Sequence, residues 1–309
     1  MDWLIHNFIA DLHGPYFLLL YGVVIAVIVL VCRWRVALVD NTGERPPPTL
    51  PAQPDPYELA FLRGGENETL RMVIFELIQN GYLETVEQEP ATGKEQLRQK
   101  PNHLPLHSLP PPQQEIYGWF ATPRKPAELF QASLSWPQFR SWCQQFEQRL
   151  QREALLLPAN LKAESWRITG KGVGVIILLG AYKLLLALAK GKANIGFLIT
   201  IGIIGLFILL GTCAPKRLSK RGQAYLQNFQ TAFQGLRRPA VTTPAGSGLA
   251  PADRMLLVAI FGLEALKGTD YAYFQQLFPK GTSEHGVSGG CGGGCGGCGG
   301  CGGCGCGGE

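Results

Sequence analysis

The first 32 residues contain no lysine or arginine, and none of the three long apolar runs contains an acidic residue. The first absence excludes an ordinary secretory signal, which opens on positive charge. Asp2 and Asp11 stand there instead, and the apolar run ends at Arg33-Trp34-Arg35 without a small-residue cleavage site. The run therefore reads as a retained anchor. The second absence excludes ion pairing inside the spans. The chain also has no P-loop and no H-E-x-x-H pair. Its histidines are scattered at His6, His13, His103, His107 and His285. His103 and His107 fall in a proline-rich stretch, where a four-residue spacing has no helical meaning, so they read as solvated loop residues.

What is present is concentrated apolarity. Tyr16–Cys32 and Ala193–Cys213 carry no charge, and Gly172–Ala189 carries only Lys183. About 20 apolar residues cross roughly 30 Å of hydrocarbon. The first two runs sit at the short end of that range and the third exceeds it. The expected fold class is a mainly α membrane protein, with three transmembrane helices and an α+β winged-helix-like soluble domain. Lys183 precedes Ala189 by about 9 Å of helix. Its stem can snorkel toward the headgroups, and no acidic residue within the spans is there to pair with it.

Basic residues near the spans set the expected orientation. Arg33 and Arg35 follow the first span, Arg167 and Lys171 precede the second, and Lys216, Arg217, Lys220 and Arg221 follow the third. The N-terminus is expected outside and the remaining soluble parts in the cytoplasm, with Lys190 and Lys192 in the outer turn as a mild exception. Bacterial inner membrane, multi-pass, is the expected localisation, and the lipid bilayer the first partner.

The expected division is an external N-terminus (1–15), a span (16–32), a Pro-rich linker (33–56), a winged-helix-like unit (57–100), a second Pro-rich linker (101–112), a second such unit (113–170), two spans (172–189 and 193–213), a cytoplasmic helical segment (214–280) and a Gly/Cys tail (281–309). In the first unit Asp55 caps a short helix that opens on Pro56 and stops at Gly64-Gly65. Leu70, Val73, Ile74, Leu77 and Ile78 give the next helix one apolar face, Gly81 ends it, and Tyr82–Val86 alternates as a strand, with Gly93 suited to a hairpin tip. In the second unit short helices over 113–121 and 126–132 lead into a long one over 136–153, then an apolar strand at Ala154–Leu157. Aromatic cores are expected from Tyr57, Phe61 and Phe75, and from Trp119, Phe139, Trp142 and Phe146. Beyond the third span a polar helix covers 218–236. The run Met255–Leu263 is apolar on every side yet too short to cross a bilayer, so it belongs inside protein.

The helix–helix–hairpin order is that of winged-helix domains, but charge argues against nucleic acid. Arg33 to Lys171 holds 16 basic and 16 acidic residues, whereas phosphate binding needs a basic face. The presumed recognition helix carries Glu66, Glu68 and Glu76 against Arg71. Other proteins are the expected partners.

From Gly289 to Gly308 there are 14 glycines and six cysteines: Cys291, Cys295, Cys298, Cys301, Cys304 and Cys306. Such a segment has no side chains for a core and is expected to be disordered unless bound. Thiolates at this spacing have affinity for soft metals, zinc or copper, or for an iron–sulfur cluster, and the tail is equally readable as low-complexity sequence or as a substrate for modification.

The block Asp55-Pro56-Tyr57-Glu58-Leu59-Ala60-Phe61-Leu62-Arg63-Gly64-Gly65, the sequence Leu77–Leu83, the paired spans, the segment Val258–Leu263 and the tail together resemble an uncharacterised bacterial family of three-span membrane proteins with a Gly/Cys-rich C-terminus. The resemblance implies a winged-helix-like cytoplasmic part and carries no catalytic residues. The chain supports three functional expectations: a non-catalytic membrane-anchored interaction scaffold, a metal- or redox-handling protein acting through its tail, or a membrane enzyme of another type. Truncation after Ser288 tests the second. The reduced full chain is expected to retain zinc or copper through dialysis, releasing protons on binding, and the truncated chain to retain none at unchanged thermal stability. Equal metal content in both forms removes the tail from metal chemistry.

Overall fold

A computed structural model gives the fold, describing residues 14–88, 94–101, 105–189, 196–235, 250–267 and 269–278. Three helices are long and apolar enough to cross a membrane: α1 (Gly14–Val39), α7 (Ala159–Ala189) and α8 (Gly196–Cys213). The chain is a multi-pass membrane protein of mainly helical structure. Between α1 and α7 lie α2 (Pro56–Gly64), α3 (Glu66–Gln79), β1 (Leu83–Gln88), β2 (Lys94–Gln99), α4 (Pro111–Trp119), α5 (Pro126–Ala132) and α6 (Pro137–Arg152). After α8 come α9 (Lys220–Ala232), α10 (Pro251–Phe261) and the single turn α11 (Phe274–Leu277).

Helices α1 and α7 exceed their expected spans. No breaker follows Cys32 until Asp40, so α1 carries Arg33 and Arg35 out of the apolar run as a continuation of the helix. Helix α7, at 31 residues, is roughly 46 Å long at 1.5 Å per residue. It therefore projects its first turns, with the Arg167–Glu164 ion pair at 3.5 Å, beyond the hydrocarbon. Exposed Leu19, Leu30, Leu178 and Phe207 cover the outside of the bundle. Exposed Tyr16 and Trp34 mark its two levels on α1, about 27 Å apart along the helix and close to the hydrocarbon thickness.

Inside the bundle Tyr21 is the wedge. Its hydroxyl donates to the Ile176 carbonyl at 3.0 Å, and it lies against Gly180 and Gly202, where a Cβ would come within 2.8 and 3.1 Å of its oxygen. Small residues let the backbones approach, as apolar spans require where no hydrophobic force separates helix from lipid. Lys183 sits with its ammonium 4.7 Å from the Phe17 ring centroid. That places it level with the start of α1, near the bilayer surface.

In the soluble domain Asp55 caps α2 by accepting from Tyr57 N at 2.9 Å, with Pro56 in the first turn. Helix α3 ends in a Schellman stop: Tyr82 N donates to Leu77 O at 2.8 Å and Gly81 N to Ile78 O at 3.0 Å, with Gly81 at φ +74°. Strands β1 and β2 then pair antiparallel from Leu83 opposite Gln99 to Gln88 opposite Lys94; the expected tip at Gly93 lies outside the described residues. Helix α6 ends in the same way, with Leu155 N on Leu150 O at 2.9 Å and Ala154 N on Gln151 O at 3.0 Å. Here Ala154 takes the left-handed position at φ +54°. The helix-then-strand pattern common to both units is thus a shared helix stop.

The segment after the second stop does not form the expected strand of a second hairpin. Leu156 forms one bridge, to Leu218 beyond α8. Among the described residues the sheet has two strands, and the winged-helix likeness rests on β1–β2 with a single further bridge between Leu97 and Arg124. The reason is competition for backbone partners: Leu157 N donates to Arg217 O at 3.0 Å and Ser219 N to Leu155 O at 3.1 Å, so the segment after the third span takes the edge. Ser219 Oγ adds a bond to Ala154 O at 2.7 Å while capping α9 through Gly222 N at 2.9 Å.

The aromatic residues expected to form two cores lie in one. Phe61, Phe75, Phe139 and Phe146 are buried, with Tyr57, Trp119 and Trp142 packed against them, in a single cluster that also takes in Phe229 of α9 and Met255, Leu256, Val258, Ala259 and Ile260 of α10. Helix α10 packs on α2 and α3, as its all-round apolarity requires.

A Cβ on Gly222 would lie 2.1 Å from the Leu155 carbonyl oxygen, a backbone atom that cannot move without breaking the seam. Gly222→Ala is therefore expected to destabilise the detergent-solubilised chain by about 2 kcal/mol or more, as overpacking against backbone does. Ala154→Gly is expected to raise stability by about 0.5 kcal/mol through relief of the left-handed strain. Thermal unfolding of the two variants in opposite directions is the check.

Candidate functional site: an arginine-lined pocket

A cavity of about 350 Å³ opens between the α2–α3 corner, the α10–α11 connection and the last described residues. Arg63, Glu68, Arg71 and Glu264 are its charged lining, and Phe261, Gly262 and Phe278 are among its apolar lining. Arg63 leaves α2 one residue before Gly64-Gly65, and Glu68 lies in the first turn of α3, where a carboxylate also favours the helix dipole. Glu68 bridges the two arginines, with Arg63 Nη2 on one oxygen and Arg71 Nη1 on the other.

The rest of the geometry holds the guanidinium groups rather than neutralising them. Arg63 Nη1 donates to Val258 O at 2.9 Å, the carbonyl that also receives Gly262 N at 2.8 Å as α10 ends. Only glycine fits at 262: its φ is +82°, and a Cβ would lie 2.7 Å from Arg63 Nη1. The Arg71 guanidinium carbon lies 5.2 Å from the Phe130 ring centroid and 5.7 Å from that of Phe278, within cation–π reach of both. Its Nε–H is buried without a hydrogen-bond partner among the described residues, in a residue only 8% exposed. Gln275 is held by its bond to Leu263 O at 2.7 Å.

Burial pushes the Arg63 guanidinium below its ordinary value, with Glu68 acting against that. Burial acts to raise the Glu68 carboxyl, but Arg63 and Arg71 together hold it below the ordinary carboxyl value. Two cations and two carboxylates line the pocket, so its charge balances; what it offers an acceptor is the Arg71 guanidinium held beside the Phe130 and Phe278 rings. That chemistry suits a carboxylate or other oxyanion attached to an apolar group.

Two neighbouring features are structural. Tyr57, Glu76 and Gln113 form a closed hydrogen-bonded set, with Gln113 Nε2 reaching Glu76 at 2.6 Å and Tyr57 Oη at 2.7 Å, and burial raises the Glu76 carboxyl. A second cavity of about 430 Å³ lies beneath the strap Pro48–Pro54, walled by Asp55, Glu58, Arg149 and Tyr225. Burial raises Asp55 and Glu58 there, and Arg149 partly offsets this through its 2.8 Å bond to Glu58.

The six cysteines expected to bind metal, Cys291, Cys295, Cys298, Cys301, Cys304 and Cys306, lie outside the described residues, as does His103. Among the described residues no group of three or more His, Cys, Asp or Glu side chains is placed to hold a metal ion. Cys143 is buried, and burial pushes its thiol up to about 12, which makes it a packing residue rather than a nucleophile. Sequence reasoning does not single out Arg63, Glu68 and Arg71 as a site. The one available signal is Arg71 itself, a charge inside the otherwise apolar run Leu70–Phe75 and three residues after Glu68.

No protein-family profile matches the chain, and no curated protein or solved structure is similar to it. The family resemblance therefore rests on the quoted residues alone.

Because the Glu68 carboxyl is depressed in the folded chain, its contribution is complete above the ordinary carboxyl value of 4.5 and is lost as pH falls through the lower folded value. Glu68→Gln is expected to cost about 3 kcal/mol at neutral pH, since it leaves two buried cations uncompensated. Unfolding of wild type and variant should converge only as pH falls below 4.5 and through the depressed folded value. A constant gap across that range would show that Glu68 acts through packing and not charge.

Proposed function

We propose that this protein is a membrane-anchored interaction scaffold, whose soluble domain uses the arginine-lined pocket to grip a carboxylate-bearing segment of a partner protein. The observation that carries the reading is Arg71: a buried guanidinium whose Nε–H has no acceptor among the described residues, stacked on aromatic rings in the wall of an open pocket. An unpaired buried donor costs free energy that an incoming acceptor recovers. Glu68, one of the two carboxylates lining the pocket, is committed to ion pairs with Arg63 and Arg71, which supports binding over catalysis. The near-neutral charge of the soluble domain and the burial of α3 from Thr69 to Phe75 support a protein partner over nucleic acid. A winged-helix-like character for the α2–β2 stretch, a bacterial inner-membrane location and an external N-terminus belong to the same proposal. They rest on element order, resemblance and the basic residues at one end of the bundle. The tail-based metal or redox reading has no observation among the described residues in its favour.

A photo-crosslinking residue at Gln275, on the pocket rim, provides the test in intact cells, with reporters fused after Val39 and after Leu236 to fix the side. Both reporters are expected to read cytoplasmic. A discrete protein adduct is expected at Gln275, and Arg71→Lys, which keeps the charge but removes the planar Nε–H, is expected to weaken it about tenfold. An adduct indifferent to Arg71→Lys, or an external reporter, overturns the corresponding part of the proposal.

A further inference from the structure

At the soluble-domain end of the three spans lies a separate cavity of about 470 Å³. Its wall is shared by the end of α1, the first turns of α7, the end of α8 and the segment leading into α9. Arg33, Lys216 and Lys220 line it, and Asp40 is the acidic residue beside them. Three basic residues against one acidic residue leave an excess of two positive charges. The Asp40 carboxylate is held at the start of α9, accepting from Thr42 N at 3.0 Å and from Lys220 N at 2.6 Å, and its single charge is already counted in that excess. Lys220 Nζ is partly engaged, donating to Ala37 O at 2.8 Å. Arg33 and Lys216 are exposed and make no ion pair among the described residues.

The other half of the wall is the apolar end of the bundle, with Val36, Gly211 and Thr212 contributing. Trp34 and Trp166, exposed on α1 and α7 beside this level, are the residues that settle at a membrane–water boundary. The cavity therefore straddles the boundary, with cations on the polar side and helix surface on the hydrocarbon side. A free anion satisfies only the first half of that surface. A molecule with a phosphate at one end and acyl chains at the other satisfies both.

We propose that this cavity binds an anionic glycerophospholipid, with its phosphate between Arg33 and Lys216 and its chains along the ends of α1 and α8. Basic pockets between spans select such headgroups by charge at short range, where screening by salt is incomplete. Occupancy would also join α1 to the segment after α8, the two elements that carry the soluble domain.

The full chain, purified in detergent, is titrated in native mass spectrometry with phosphatidylglycerol, phosphatidylcholine and inorganic phosphate. One phosphatidylglycerol per chain is expected to be retained in preference to phosphatidylcholine. The double substitution Arg33→Gln and Lys216→Gln is expected to lower that retention on the order of tenfold, the loss of two close charge contacts. Arg35→Gln, on the same helix end but outside the cavity wall, is expected to leave it unchanged. Lys216→Glu alone, at an exposed position, gives the same reading if the double variant fails to fold. Equal loss with Arg35→Gln would reduce the effect to diffuse surface charge and overturn the proposal. So would equal retention of phosphatidylcholine, or displacement of the lipid by millimolar inorganic phosphate, which would mark a free-anion site.

Discussion

The seam between Leu155–Leu157 and Arg217–Ser219 is the constraint on which the rest of the structure depends. One strand of it enters the second span and the other leaves the third. Its backbone bonds therefore fix where the soluble domain sits on the membrane bundle. Arg217 extends the seam into the domain. It donates to the Phe61 and Leu62 carbonyls at the end of α2, the latter at 3.0 Å, and lies 4.6 Å from the Phe61 ring centroid. Burial pulls its guanidinium down to about 10, opposed by Glu147 and Glu66, so it remains charged at neutral pH. A cation at a helix C-terminus meets the negative end of the dipole, and here it shares the Phe61 carbonyl with Gly65 N, which donates to it at 2.8 Å.

Arg217 and Arg63 perform related tasks from opposite sides of α2. Each is a buried cation whose partners are backbone carbonyls of a helix end, of α2 for Arg217 and of α10 for Arg63. Such contacts cost desolvation and return geometric definition, because a guanidinium in a fork of carbonyls has one good position. Through them α2 is held to the membrane segment on one side and to α10 on the other. Arg71 differs in having a donor, its Nε–H, with no acceptor among the described residues. The domain is thus tied to the bundle through Arg217, and the pocket wall presents the Arg71 Nε–H.

Much of the local structure is legible in the sequence because its causes are local. Asp55-Pro56 starts α2 by cap chemistry, Gly81 stops α3 because it admits a positive φ, and the all-round apolarity of Met255–Leu263 requires burial. The strand expected at Ala154–Leu157 fails for a reason that is not local. An apolar run after a helix looks the same whether its backbone pairs within its own unit or with a segment some sixty residues later, and Leu156 pairs with Leu218. The pocket is illegible for a related reason. Arg71 reads on a helical wheel as one charge among several, and its burial between Phe130 and Phe278 depends on chain lying about sixty residues after it in one case and about two hundred in the other.

By itself the sequence determined the three membrane-spanning helices, the side of each that is basic and the starts and stops of most soluble helices. These arise from hydropathy, capping and charge, which act over a few residues at a time. Only the tertiary structure decided that both soluble stretches share one core, that the chain after the third span closes the edge expected to belong to a second hairpin, and that Arg63, Glu68 and Arg71 meet beside α10. Those outcomes depend on which distant segments compete successfully for the same apolar surface and the same backbone donors, and no short window of residues contains that competition.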